Sequence, residues 1–251
     1  MLPAALTIVL HLAAPSYGMP ATQETLDFAP VGVRYDLNPD PARRRTDLET
    51  LRRLGFTVVL AGEPTQTLAR IDRLLSGPRD PSVVVPAPEV AVVPIDERTD
   101  ADAVREAAWT RLASGARAVI FDNWQALQKN DGALAEAAAF AETLARNPAL
   151  YVPLHPVEST GDRAFTIDGG QGDVAGHWLE SPDALLLIAV NHATGPRDVT
   201  LTFAPAIPEA IWQNMLTGSA VNFVAGPKGP VYSRTFAAHD VLVLMIRKRW
   251  K

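Results

Sequence analysis

The chain contains no cysteine. Thiolate catalysis, disulfide stapling and cysteine-based zinc sites are excluded with it, and the absence fits an exported protein. Positive charge is also scarce, with 23 Lys and Arg against 28 Asp and Glu and a net charge of −5. That balance argues against general binding to nucleic acid or to anionic membranes. The one basic run, "RKRWK" at the C-terminus, reads as a solvated tail. No apolar run reaches membrane-spanning length. The opening "MLPAALTIVLHLAAPSYGMPATQ" has an apolar stretch of about 13 residues, which suits a signal-peptide core and is short for a membrane span. Residues 1–22 are therefore expected to be a signal peptide, cleaved near residues 14–22. A buried N-terminal strand or helix is the alternative.

Several chemical signatures are missing too. There is no nucleophile elbow, phosphate loop or HExxH motif. "GGQG" at 169–172 does not satisfy a dinucleotide fingerprint and reads as a turn. The histidines are scattered, and His192 in "VNHAT" and His239 in "AAHDV" read as structural turn residues. No cofactor and no metal site are expected.

The composition, 47% apolar and 20% charged over 251 residues, gives material for a sizeable core in one large domain or two ordinary ones. Residues 24–150 alternate strand-like and helix-like patterns. "VGVRYDL" (31–37), "FTVVLAG" (56–62), "SVVVPAPEVAVVPID" (82–96) and "ARAVIFDNW" (116–124) carry the strands. Between and after them lie helical patterns at 40–55, 64–77, 100–115 and 131–147, several closed by glycine and one capped by Asp100 or Asp102. Nearly all-apolar strands alternating with helices predict a parallel sheet covered on both faces. Four or five strands make roughly half of an eight-stranded barrel. After Pro148–Pro156 the pattern changes to about seven short strands, at 163–168, 173–179, 183–190, 197–203, 219–225, 230–236 and 240–246, which predicts an antiparallel β-sandwich. The expected fold is α/β plus all-β: a partial, TIM-barrel-like domain over 23–150 and a sandwich over 151–251.

In parallel α/β folds ligands gather at the carboxyl ends of the strands. Those ends carry Tyr35, Asp36 and Asn38; Gly62 and Glu63; Asp96 and Glu97; and Asp122, Asn123 and Trp124. Two carboxyls about 5–5.5 Å apart would serve a retaining glycosidase. Glu97 is the candidate nucleophile, with Glu63, Asp96 and Asp122 as candidate partners. Trp124 could stack on a pyranose, with Asn123, Asp96, Tyr35 and Asp36 as further substrate contacts. The competing reading is that these acids only cap helices and meet solvent.

"VGVRYDLNPDPARRRTDLETLRRLGFTVVLAGE" resembles the opening of β-galactosidase-like glycoside hydrolases with (β/α)8 barrels, family 42 in particular, whose second strand ends in a Gly-Glu pair like Gly62-Glu63. "REAAWTRLASGARAVIFDNW" resembles that group's last helix and strand. "ALLLIAVNHATGPRDVTLTF" and "AAHDVLVLMI" resemble its C-terminal β-sandwich. The resemblance covers most of residues 28–246. It implies that Glu97 matches the family's nucleophile. It also exposes a loss, because the family's acid/base glutamate follows an asparagine and this chain has no Asn-Glu pair. The central barrel strands have no counterpart either. The implied protein is a cut-down barrel joined to its sandwich, exported and catalytically degenerate, binding carbohydrate or serving as a scaffold. Two alternatives stand beside it: an active retaining glycosidase using Glu97 with Glu63 or Asp122, and a structural protein-interaction module. Open sheet edges also point to a homodimer.

Overall fold

A computed structural model describes residues 9–11, 29–36, 38–60, 90–151, 153–207 and 212–247. The chain divides into two compact units, Met1–Val104 with Ala116–Val152, and Arg105–Gly115 with Pro153–Lys251.

The first unit is built on a five-stranded sheet. Its strands are β1 (Val9–His11), β2 (Val31–Arg34), β3 (Val58–Leu60), β4 (Val90–Pro94) and β5 (Ala118–Asp122), in the order β1-β3-β2-β5-β4. The last four run parallel, and β1 pairs antiparallel with β3. Val9–His11 lies inside the stretch read above as a signal-peptide core. The described helices are α1 (Pro41–Arg53), α2 (Ala101–Ala113), which belongs to the second unit from Arg105 onward, α3 (Trp124–Gln128), α4 (Asp131–Arg146) and α5 (Pro148–Tyr151). No closed barrel is present among the described residues, and no described helix is long and apolar enough to cross a membrane. The helix expected at 64–77 and the first part of the 82–96 segment lie outside the described residues.

Local chemistry sets the boundaries. Asp40 caps α1 by accepting from Ala42 N, with Pro41 in the first turn, where its missing N–H costs nothing. Asp100 rather than Asp102 caps α2, accepting from Ala103 N at 2.8 Å. The register divides the sheet's side chains between two faces. Val33, Val59 and Phe121 point one way, and Phe121 meets Phe56 and Phe140 edge-on at 6.1 and 6.3 Å. Val58, Leu60, Ala118 and Ile120 cluster on the other face, beside Gly32. A Cβ on Gly32 would lie 2.5 Å from the Val58 carbonyl oxygen, so no side chain fits there.

The second unit is a β-sandwich. Ten strands follow: β6 (His155–Val157), β7 (Phe165–Gly169), β8 (Val174–Glu180), β9 (Ala184–Asn191), β10 (Arg197–Phe203), β11 (Trp212–Asn214), β12 (Ala220–Val221), β13 (Val224–Gly226), β14 (Gly229–Phe236) and β15 (Val241–Arg247). One sheet reads β13-β14-β10-β7 and the other β12-β11-β15-β9-β8-β6, all antiparallel. The core between them holds Trp178, Leu187, Leu201, Phe203, Trp212, Phe236 and Leu244. Phe203 and Trp212 stack 4.6 Å apart, centroid to centroid. Every residue of β9 is buried, so both faces of that strand are covered. This explains why "ALLLIAVN" runs apolar, whereas "RDVTLTF" in β10 alternates. Strands β6 and β11 fall outside the seven expected segments. Both are only three residues long, and β6 contains Pro156, which suits an edge position.

Two histidines belong to this unit's framework. His192 Nδ1 lies 2.6 Å from Glu106 Oε1 and His239 Nδ1 lies 2.5 Å from Glu106 Oε2. His239 holds φ +53, a left-handed conformation that few non-glycine residues adopt and that histidine tolerates better than most. Beside them, Asn191 is fully buried. Its amide donates to the carbonyls of Gly195 and Ala237 and its oxygen accepts from Ala193 N. The "VNH" segment is thus a staple joining two turns of the sandwich to the segment Arg105–Gly115.

Candidate functional site

The carboxyl ends of β2, β5 and β4 carry most of the candidate residues, and α3 follows β5 directly. The sheet register places Arg34, at the end of β2, beside Asp122, at the end of β5. Arg34 Nε meets Asp122 Oδ1 at 2.8 Å, and both side chains are partly exposed. The ion pair stands on the same face as Gly32 and Ile120.

Beyond β4 the two acids behave differently. Asp96 closes a turn on itself: its Oδ1 accepts from Thr99 Oγ1 at 2.9 Å and from Arg98 N at 2.8 Å. The Thr99 hydroxyl and the Arg98 amide hold its carboxyl below the usual carboxylate range. Glu97 is exposed, and its Oε1 accepts from Lys129 Nζ at 2.9 Å. That hydrogen bond, and then the ammonium charge, pull its pKa down as well. A lowered pKa is compatible with the nucleophile role expected of Glu97, whereas a general acid needs the opposite shift, upward toward the working pH.

The residues after β5 build a helix start. Asn123 has φ +130, and its side-chain oxygen accepts from Ala126 N at 3.0 Å. Trp124, the expected sugar-stacking platform, is fully buried and meets Phe56 edge-on at 6.4 Å. It offers no ring face to a ligand, which corrects that expectation. The physical reason is geometric: the cap at Asn123 turns the chain, so the indole enters the core instead of the rim. Tyr35 is corrected in the same way. It is 1% exposed, and its hydroxyl donates to Asp47 Oδ2 at 2.8 Å. Burial, with the Asp47 carboxylate, pushes its phenol pKa up. Asp36 lies at the surface, and its backbone carbonyl accepts from Gln125 Nε2 at 3.2 Å. Glu63 lies outside the described residues.

Sequence reasoning missed the partners. Gln125, Gln128 and Lys129, on α3 and at its exit, reach Asp36, Asp47 and Glu97 in turn. Asn130 donates to the Thr99 carbonyl and caps α4 by accepting from Ala133 N. Five helical residues thus tie the ends of β2 and β4 to α1. The available signal was the spacing of Asn123 and Asn130, two cap residues seven apart. Arg34 gave a fainter one, as a lone charge in an apolar strand. Among the described residues, no group of three or more His, Asp or Glu is arranged to hold a metal ion.

No protein-family model and no curated protein matches the chain. Similar solved structures include a GH27 β-L-arabinopyranosidase from Geobacillus stearothermophilus, at 8% identity and TM-score 0.43, covering 61% of this chain and 31% of that one. A GH30 endoxylanase from Clostridium papyrosolvens matches at 9% identity and TM-score 0.39, with 62% and 42% covered. A maltogenic α-amylase from Thermotoga neapolitana matches at 13% identity and TM-score 0.42, with 74% and 45% covered. The chain spans less than half the length of each.

Proposed function

We propose that the protein is a catalytically degenerate relative of (β/α)8 glycoside hydrolases, of the family 42 kind, serving as a carbohydrate-binding or scaffold protein. The carrying observation is the state of the strand ends. Asp122 is bonded to Arg34, Glu97 to Lys129, and Asp96 to its own turn. Each described acid expected to do chemistry meets a partner from its own chain, and both aromatic residues expected to meet sugar are buried. The strand order supports the ancestry. In chain order the parallel strands are β2, β3, β4 and β5, yet β5 lies beside β2 and β4 lies beyond β5. A closed ring of parallel strands gives this order when the arc between its second and next-to-last members is removed.

Catalysis suffers for a stated reason. Glycoside hydrolysis needs a protonated carboxyl on the leaving oxygen and a second carboxylate on the ring's other side. A lowered pKa leaves Glu97 fit to act as nucleophile but not as proton donor, and Asp122, the described candidate for the donor, is ion-paired with Arg34, so general-acid help worth about 10²–10⁴-fold has no described source. The purified protein is expected to release no nitrophenol from a panel of nitrophenyl glycosides, and to bind at least one oligosaccharide on a glycan array. Turnover that disappears in Glu97→Gln would establish the active-glycosidase reading instead. No turnover and no glycan binding would leave the interaction-module reading.

A further inference from the structure

The strand β4 forms one border of the parallel sheet, and among the described residues no strand pairs with its outer side. Sheet borders of folded proteins are ordinarily protected by charge, by bulges or by a covering element, because their free N–H and C=O groups pair with any extended chain. Here the border reads Val-Ala-Val-Val-Pro and carries no charge. Pro94 is its one protective residue, and it stops a ladder at the strand's end without interrupting it. Ala91 and Val93 are buried on the face of Val119 and Phe121. Val92 lies on the opposite face, in register with Ile120, and is 37% exposed. Large hydrophobic residues exposed to this degree are few among the described residues: Val92, Leu216 and Val224.

Val92 is also the middle residue of the five. That position selects the occupant. In antiparallel pairing, directly opposite residues share a face and touch. A two-fold axis at the middle of β4 sets Val92 against its own copy, Ala91 against Val93 and Val90 against Pro94. Each exposed valine is then covered by its equivalent, with no charge buried. The contact closes on itself, as a two-fold interface must. We infer that the outer edge of β4 pairs antiparallel with the same edge of a second copy, centred on Val92. This deepens the reading of the sheet as an opened ring, since the edge exposed by the lost strands becomes the one that associates.

The absence of cysteine makes the test clean. The full chain is expected to run as a dimer, twice 27.0 kDa, in light scattering at micromolar concentration. Val92→Lys is expected to weaken association about tenfold or more while leaving the far-UV circular dichroism unchanged, because like charges would then face each other across the axis. Val92→Cys is expected to form a disulfide dimer with oxidised glutathione, since opposite residues of an antiparallel pair sit about 4.5–5.5 Å apart at Cα, within disulfide reach. Val224→Cys, equally accessible but on the sandwich, is the control. A monomer at every concentration up to about 100 μM would overturn the proposal. So would a dimer in which Val92→Cys crosslinks no better than Val224→Cys. Glycoside turnover and glycan binding are read separately, so failure here leaves the proposed function to its own test.

Discussion

Trp124 illustrates how one residue's backbone decides its role. Its side chain is large, aromatic and placed at a strand end, all of which suit a sugar platform. The cap at Asn123 sends it into the core beside Phe56. Trp124→Ala is expected to cost about 3–5 kcal/mol in urea denaturation, the cost of emptying a buried aromatic site. A surface platform would cost little stability on the same change. His177 carries a second residue-scale prediction. The protein around it strips part of its hydration, and His192 stands near, so its pKa is lowered on folding. Above the unfolded-state value both states hold a neutral ring and His177 contributes nothing. As pH falls through that value the unfolded chain binds a proton that the folded chain does not, and stability drops until the folded-state value is passed. Between pH 7 and 5, His177→Gln is therefore expected to lose less stability than the parent, as read from melting temperatures across that range.

At the scale of elements, short connections hold the two units internally. Glu106 accepts from two imidazoles at once, one from the turn after β9 and one from the turn before β15. Glu106→Ala would leave the partly buried His239 imidazole without its acceptor and release the exposed His192 to solvent. The expected loss is about 1–3 kcal/mol, with faster amide exchange over residues 105–115. Unchanged exchange there would show that the helix is held by apolar packing alone. In the sheet, Gly32 lets β2 and β3 approach where a methyl group has no room. Gly32→Ala is expected to destabilise by about 1–3 kcal/mol, because the group it meets is backbone and cannot rotate away. The N-terminal strand adds a further test. β1 covers the outer side of β3. Deleting residues 1–22 is expected to free that border and raise self-association above that of the full chain, measured by light scattering.

For the whole molecule, a parallel sheet and an antiparallel sandwich were both legible in the residues. Continuous apolar strands spaced by amphipathic helices allow little but a covered parallel sheet, and alternating strands separated by turns allow little but a sandwich. Strand order was less accessible. β5 lies beside β2 although 83 residues separate the end of one from the start of the other, and no local pattern encodes such a pairing. The site was legible only by position. The strand ends were found, but the acids' partners were not, because Lys129, Gln125 and Gln128 reach them from a helix too short to announce itself by periodicity.

The sequence by itself determined what the chain can be made of: two kinds of sheet, no thiol chemistry, few cations, and acids at the ends of parallel strands. Those follow from composition and from periods of two and 3.6 residues, which are local properties of the backbone. Only the tertiary structure decided what the strand-end residues face. Whether Glu97 meets a ligand or Lys129, and whether Trp124 meets a sugar or Phe56, depends on groups brought together from distant parts of the chain. Hydrogen bonds and ion pairs act over a few ångströms in space, whatever the separation in sequence.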